Sequence, residues 1–149
     1  MLVIGSDHGG FLLKQEIKKH LEENKIEYID VGCYDESSVD YPDIAKAACD
    51  NIVSGECQLG ILICGTGIGI SMAANKIKGI RACACSDTFS AKYTRLHNDA
   101  NVLCLGGLVL GPGLANELVD AFLDTSFEGG RHARRVAQIM AIQDGELTE

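Results

Sequence analysis

The 149-residue chain carries 13 Lys and Arg against 21 Asp and Glu, a formal charge of −8, with 46% apolar residues, 5% aromatic residues and no tryptophan. That balance argues against a nucleic-acid partner, which calls for clustered cations and stacking rings. No apolar run approaches the roughly 20 residues that cross a bilayer, and no basic leader precedes Leu2-Val3-Ile4, so we expect a cytoplasmic chain with no membrane association.

Taken in order, Leu2–Ser6 predicts a first strand, closed by Asp7-His8-Gly9-Gly10. Apolar residues at Phe11, Leu12, Ile17 and Leu21 predict a helix to about Asn24, with His20 on a solvent-facing lysine-rich side. Ile26–Val31 predicts a second strand, and the polar stretch from Gly32 to Pro42 a loop. A helix follows over 43–53, then the buried strand Ile61–Cys64 and a helix over about 69–78. Ile80–Cys85 and Asn101–Leu105 predict the fourth and fifth strands, separated by a helix over 87–96. Helices over 113–123 and 131–143 complete the chain, with Glu128-Gly129-Gly130 as the turn between them. Strands alternating with helices, without repeats or linkers, predict one α/β domain over 1–149. Its form is a three-layer α/β/α sandwich around a five-stranded parallel sheet, Rossmann-like. A chain of this size buries roughly 68–70% of its unfolded surface.

In an open parallel sheet the ligand lies beyond the C-terminal strand ends. Asp7-His8, Cys64-Gly65-Thr66 and Ser86-Asp87 all fall there. The stretch GILICGTGIGISMAAN (60–75) joins a buried strand to a helix through Gly65, Gly67 and Gly69. Such a turn presents backbone N–H groups to an anion or oxyanion. Its GxGxG spacing is neither a dinucleotide fingerprint nor a Walker loop. Cys64 stands at the rim, where a helix N-terminus favours the thiolate, although a strand-end cysteine can equally be a packed hydrophobe. Arg131 and Arg135 share a helix face after Gly129-Gly130 and can fork onto one phosphate or remain a solvated pair.

The seven cysteines, at 33, 49, 57, 64, 83, 85 and 104, are odd in number and irregular in spacing. This fits reduced thiols used as small hydrophobes. Cys83-Ala-Cys85 is the best fragment of a zinc site, but there is no CxxC pair, and no metal is expected.

With GSDHGGFLLK (5–14), DYPD (40–43), GILICGTGIGISMAANK (60–76), IRA (80–82), HNDANVL (97–103) and FEGGRHARRV (127–136) in order, the chain resembles the type B ribose-5-phosphate isomerases. That group shares a superfamily with galactose-6-phosphate and allose-6-phosphate isomerases. The resemblance implies interconversion of D-ribose 5-phosphate and D-ribulose 5-phosphate through an enediolate. Cys64 would be the base, Thr66 its assistant at the adjacent oxygens, and His97 with Asp7 the ring-opening pair. Backbone N–H groups of Gly65, Gly67, Ile68 and Gly69 would hold the enediolate charge. His8, Arg131 and Arg135 would bind phosphate, Asn98 the sugar, and Tyr41 would line the pocket. No metal or organic cofactor is implied. Homodimers with shared sites are, with His97 of one subunit near Cys64 of the other, the C-terminal segment 131–149 at the interface, and tetramers left open. Leu108 stands where many relatives carry a phosphate-binding arginine. Alternatives are an isomerase of a six-carbon sugar phosphate (allose or galactose 6-phosphate) and a non-catalytic sugar-phosphate binding module.

Overall fold

The computed structural model describes residues 1–146; the end of the segment 131–149 therefore lies outside the described residues. Five strands, β1 (Leu2–Ser6), β2 (Tyr28–Asp30), β3 (Leu59–Cys64), β4 (Ala82–Ala84) and β5 (Val102–Gly106), form one sheet in the order β2-β1-β3-β5-β4. Every pairing is parallel. Among the described residues four helices connect them, α1 (Phe11–Glu23), α2 (Tyr41–Val53), α3 (Ile68–Ala74) and α4 (Thr88–Asn98), and two follow β5, α5 (Pro112–Leu123) and α6 (Arg131–Gln143). A single 3-10 turn, His8–Gly10, precedes α1.

Alternation along the strands builds two cores. Leu2, Ile4, Ile61, Ile63, Leu103 and Leu105 meet α1 and α5 on one face. Val3, Leu62, Cys64, Val102 and Cys104 meet α2 and α3 on the other. The central strands are apolar on both faces because both faces are covered, and each fully buried Ile or Leu contributes about 1.5–3 kcal/mol. The expected three-layer sandwich is the observed one. None of the described helices is long and apolar enough to cross a membrane.

Differences from the expected elements have local causes. Helix α2 begins at Tyr41, earlier than expected, because Pro42 is tolerated in a first turn. Helix α3 stops at Ala74 because the Asn75 side chain leaves to pair with the Ala82 backbone, donating to its carbonyl at 2.9 Å and accepting its N–H at 2.8 Å. Strands β2 and β4 are three residues each, shorter than expected, since each has only one neighbour in the sheet. His20 does not face solvent: its Nε2 meets Asp120 Oδ1 at 2.7 Å, joining α1 to α5.

The order places the crossover point between β1 and β3, whose chains leave in opposite directions. The segments after β1, β3 and β5 converge above it. Asp7 N–H donates to the Ile63 carbonyl at 3.1 Å, Gly107 N–H to Cys64 at 2.8 Å, and Leu108 N–H to Gly65 at 3.0 Å. Gly107 must be glycine, since a Cβ there would collide with the Gly9 carbonyl oxygen.

Candidate active site

Strand β3 ends in Cys64, whose residue is 5% exposed. The chain then turns sharply at Gly67, φ +79°, a left-handed conformation that also brings its Cα against the Leu105 backbone. This turn sends the Gly67 N–H back to the Cys64 sulfur at 3.1 Å. The Ile68 N–H goes to Thr66 Oγ1 at 3.2 Å. Gly69 follows in the first turn of α3, where N–H groups lack intrahelical acceptors. The loop therefore has two sets of donors, one at the sulfur and one facing out beside it.

Around this nest stand the other residues expected there. Asp7 is buried and its carboxylate accepts the Gly10 N–H at 3.1 Å, holding the turn that carries His8. His8 Nδ1 accepts the Val39 N–H at 3.3 Å, which leaves Nε2 as the protonated, donating nitrogen. Tyr41, at the start of α2, lies against Gly69 so closely that a Cβ on that glycine would sit 2.8 Å from the ring. Leu108 is 83% exposed and reaches over Gly65, giving this side of the nest an apolar cover.

His97, Asn98, Arg131 and Arg135 are not brought to Cys64 within one chain. Helix α4 leaves the C-terminal end of β4 and returns to the start of β5, so its last turn lies at the opposite sheet edge. Arg81, just ahead of β4, confirms the placement by donating from Nε to the Asn98 carbonyl at 3.2 Å. The six residues of β3 alone separate the two edges by about 20 Å. At that far edge the His97 ring stacks on His132, centroids 3.9 Å apart and planes at 9°. Glu128 Oε2 lies 3.5 Å from His97 Nε2 and 4.0 Å from His132 Nε2. The Glu128 N–H donates to the Leu96 carbonyl at 3.0 Å, tying the α6 approach to the end of α4. Burial, reinforced by His97 and Arg131, holds His132 below the usual imidazole value. Arg131 and Arg135 are exposed on the first turns of α6 beside this stack.

Glu128 and His132 had no role in the sequence reading. Their four-residue spacing ahead of and within a helix was the available signal. The Cys83–Cys85 fragment does bring two sulfurs to 3.4 Å. Among the described residues, however, the cluster of three metal-capable groups is His97, Glu128 and His132.

Residues 2–139 match the family model described as Ribose/Galactose Isomerase. The chain belongs to the ribose/galactose isomerase family. It is 50% identical over 142 residues to the ribose-5-phosphate isomerase B of Escherichia coli, covering 95% of each chain. The structure of a Clostridium thermocellum ribose-5-phosphate isomerase B superposes with a TM-score of 0.95 at 49% identity, over 98% of this chain and 99% of that one. A Mycoplasma genitalium ribose-5-phosphate isomerase B, solved with bound ribulose-5-phosphate, superposes with a TM-score of 0.90 at 41% identity, over 96% and 95%. Membership in this isomerase family gives the strand-end cysteine and its glycine nest a chemical context, since aldose–ketose isomerisation calls for proton transfer next to a carbonyl.

Proposed function

We propose that the chain interconverts D-ribose 5-phosphate and D-ribulose 5-phosphate as a homodimer, each site taking the nest of one subunit and the His97–Arg131 edge of the other. The observation that carries this reading is the Gly67 N–H on the Cys64 sulfur, beside a helix start with donors to spare. The chain's relatives act as its support for the substrate, since one of them holds ribulose-5-phosphate.

His97 first passes a proton to the ring oxygen of the furanose as the bond from that oxygen to C1 breaks, and the C1 hydroxyl gives its proton to the carboxylate of Asp7 on the facing subunit and becomes the aldehyde. Cys64, as thiolate, then takes the proton from C2 of the open aldose. The C2–H electron pair becomes the C1–C2 double bond of the enediolate, and the aldehyde oxygen takes the negative charge. N–H groups of Gly65 and Gly69 face that charge, joined by the Ile68 N–H when Thr66 turns to the sugar oxygens and releases it; the Gly67 N–H serves the sulfur instead. Thr66 exchanges the proton between the two oxygens, and Cys64 returns its proton to C1. His8, Arg131 and Arg135 hold the phosphate, Asn98 the sugar hydroxyls, and Tyr41 walls the pocket.

A second copy is required by this reading, because one chain keeps the two halves at opposite edges. Ile68, Met72 and Phe89, exposed by 51%, 63% and 67%, offer it an apolar surface. A cavity of about 480 Å³, lined in part by Ile80, Ala82, Ile139 and Ile142, supports α6 as part of the contact. Residues 1–149 then act as one isomerase domain. All seven cysteines are unpaired, which supports a reducing, cytoplasmic setting.

The test is ketose formation from ribose 5-phosphate, with EDTA present, by the wild type and Cys64→Ala. We expect kcat/KM to fall by about 10³-fold or more in the variant, within the range for losing a general base. Equal activity in both moves the base elsewhere. Turnover of allose 6-phosphate alone overturns the substrate.

A further inference from the structure

The His97–Glu128–His132 cluster contains an anomaly. His132 is 6% exposed, and its Nε2 is sealed from solvent with no hydrogen-bond partner among the described residues. Buried ring nitrogens are ordinarily satisfied. This one points toward the Glu128 carboxylate, which is too far for a hydrogen bond at 4.0 Å but well placed to share a third body. The ligating atoms of all three residues lie within 4.8 Å of one another.

We propose that His97, Glu128 and His132 form a site for a divalent transition ion of the Zn²⁺ class, and that filling it inhibits the isomerase by occupying His97. Ligand atoms about 2.0–2.2 Å from a tetrahedral zinc stand roughly 3.2–3.5 Å from each other. The His97–Glu128 pair, at 3.5 Å, already meets that spacing. The His132 nitrogen reaches it when the two stacked rings splay slightly, since parallel rings aim their lone pairs side by side. Two imidazoles and a carboxylate suit zinc, cobalt or nickel, whereas Mg²⁺ and Ca²⁺ favour oxygen ligands. A fourth position stays open to water. The ligands come from two elements already fixed together, by the Glu128 N–H on the Leu96 carbonyl and by α6 starting at Arg131. Ion binding stands on this geometry alone; the inhibition rests on the proposed role of His97.

The reduced, desalted full-length protein is titrated with Co²⁺, followed by its visible absorption, and with Zn²⁺ against a chromophoric chelator. We expect one ion per chain, no thiolate-to-cobalt charge-transfer band, and affinity at least tenfold weaker in both Glu128→Gln and His132→Phe, each checked for an unchanged melting profile. Isomerase activity of the wild type should fall as Zn²⁺ fills the site and return with EDTA. No binding in the wild type, a thiolate charge-transfer band, or undiminished binding in both variants overturns the site. Binding lost in both variants while bound Zn²⁺ leaves turnover unchanged overturns the inhibition and the ring-opening role of His97, with the ion site intact.

Discussion

The Gly67 N–H donates to the Cys64 sulfur at 3.1 Å, and only the left-handed turn at Gly67 lets it do so. A side chain at that position meets two obstacles: φ of +79°, and a Cβ 2.8 Å from the Leu105 carbonyl carbon. Gly67→Ala is expected to shift the loop and take the donor off the sulfur. Steady-state kinetics should show kcat lowered about 10²-fold, comparable to losing one oxyanion-hole donor. Left-handed strain at a non-glycine residue adds about 1–3 kcal/mol of lost stability, readable by urea unfolding. Wild-type kinetics in a folded Gly67→Ala protein would show that the sulfur does not depend on this hydrogen bond.

The opposite-edge placement of His97 and Cys64 predicts complementation between two dead proteins. Cys64→Ala and His97→Asn should each be inactive as pure dimers. When unfolded and refolded together in equal amounts, half of the dimers are mixed, and each of those holds one intact site. Recovered activity should then approach about a quarter of wild type, by the two-fold symmetry of a shared site. Mixtures that stay inactive, while light scattering shows mixed dimers, would exclude sharing.

The central strands and the nest were legible from the amino acids because they depend on short-range pattern. Ile61 to Cys64 is apolar on both sheet faces, and the glycines follow at once. Lys14 was not legible. It looks like one more charge on a lysine-rich helix, yet it is fully buried against Asp30, sixteen residues on. The His97–Glu128–His132 cluster was hidden for the same reason: it exists only because α6 folds back on α4. Asn75 shows the reverse case, where good helix-forming composition lost to a side-chain pairing with the Ala82 backbone. Periodicity records which face is apolar; it does not record which distant residue will arrive there.

Outside the candidate active site, Cys83 should be the most reactive thiol near neutral pH. The Cys85 thiol donates to its sulfur at 3.4 Å. That hydrogen bond outweighs burial, Thr94 adds to it, and Cys83 is pulled down to about 6. Cys85 is pushed up by the same bond, while burial lifts Cys49 to about 12 and raises Cys104 well above its ordinary value. Cys83 is also only half-buried, whereas the other six are buried. Iodoacetamide labelling of the Cys64→Ala protein, read by peptide mass spectrometry, should therefore begin at Cys83, with a midpoint below that of an ordinary thiol. Cys85→Ala should move that midpoint upward. First labelling at Cys33 in the Cys64→Ala protein would contradict the assignment.

The Lys14–Asp30 pair should make the fold acid-sensitive. Lys14 Nζ donates to Asp30 Oδ1 at 2.8 Å and also to the Cys33 carbonyl, and Lys18 donates to Oδ2 at 2.9 Å. Burial alone would raise the Asp30 carboxyl; the two lysines and the Gly32 N–H outweigh it and hold the group below its ordinary 3.8. A carboxylate depressed in the folded state contributes its full stability above that ordinary value. The contribution is then lost as pH falls through the lower folded value. Urea unfolding between pH 7 and pH 2 should thus show stability fading below about pH 4, and Asp30→Asn should flatten that part of the profile. Lys14→Met leaves Asp30 with Lys18 and the Gly32 N–H and strands the Cys33 carbonyl. Its expected cost at pH 7 is about 2–4 kcal/mol, at or below the range for breaking a buried pair because one cation remains. A Lys14→Met protein as stable as wild type at pH 7 would mean that Lys18 and solvent satisfy Asp30 unaided.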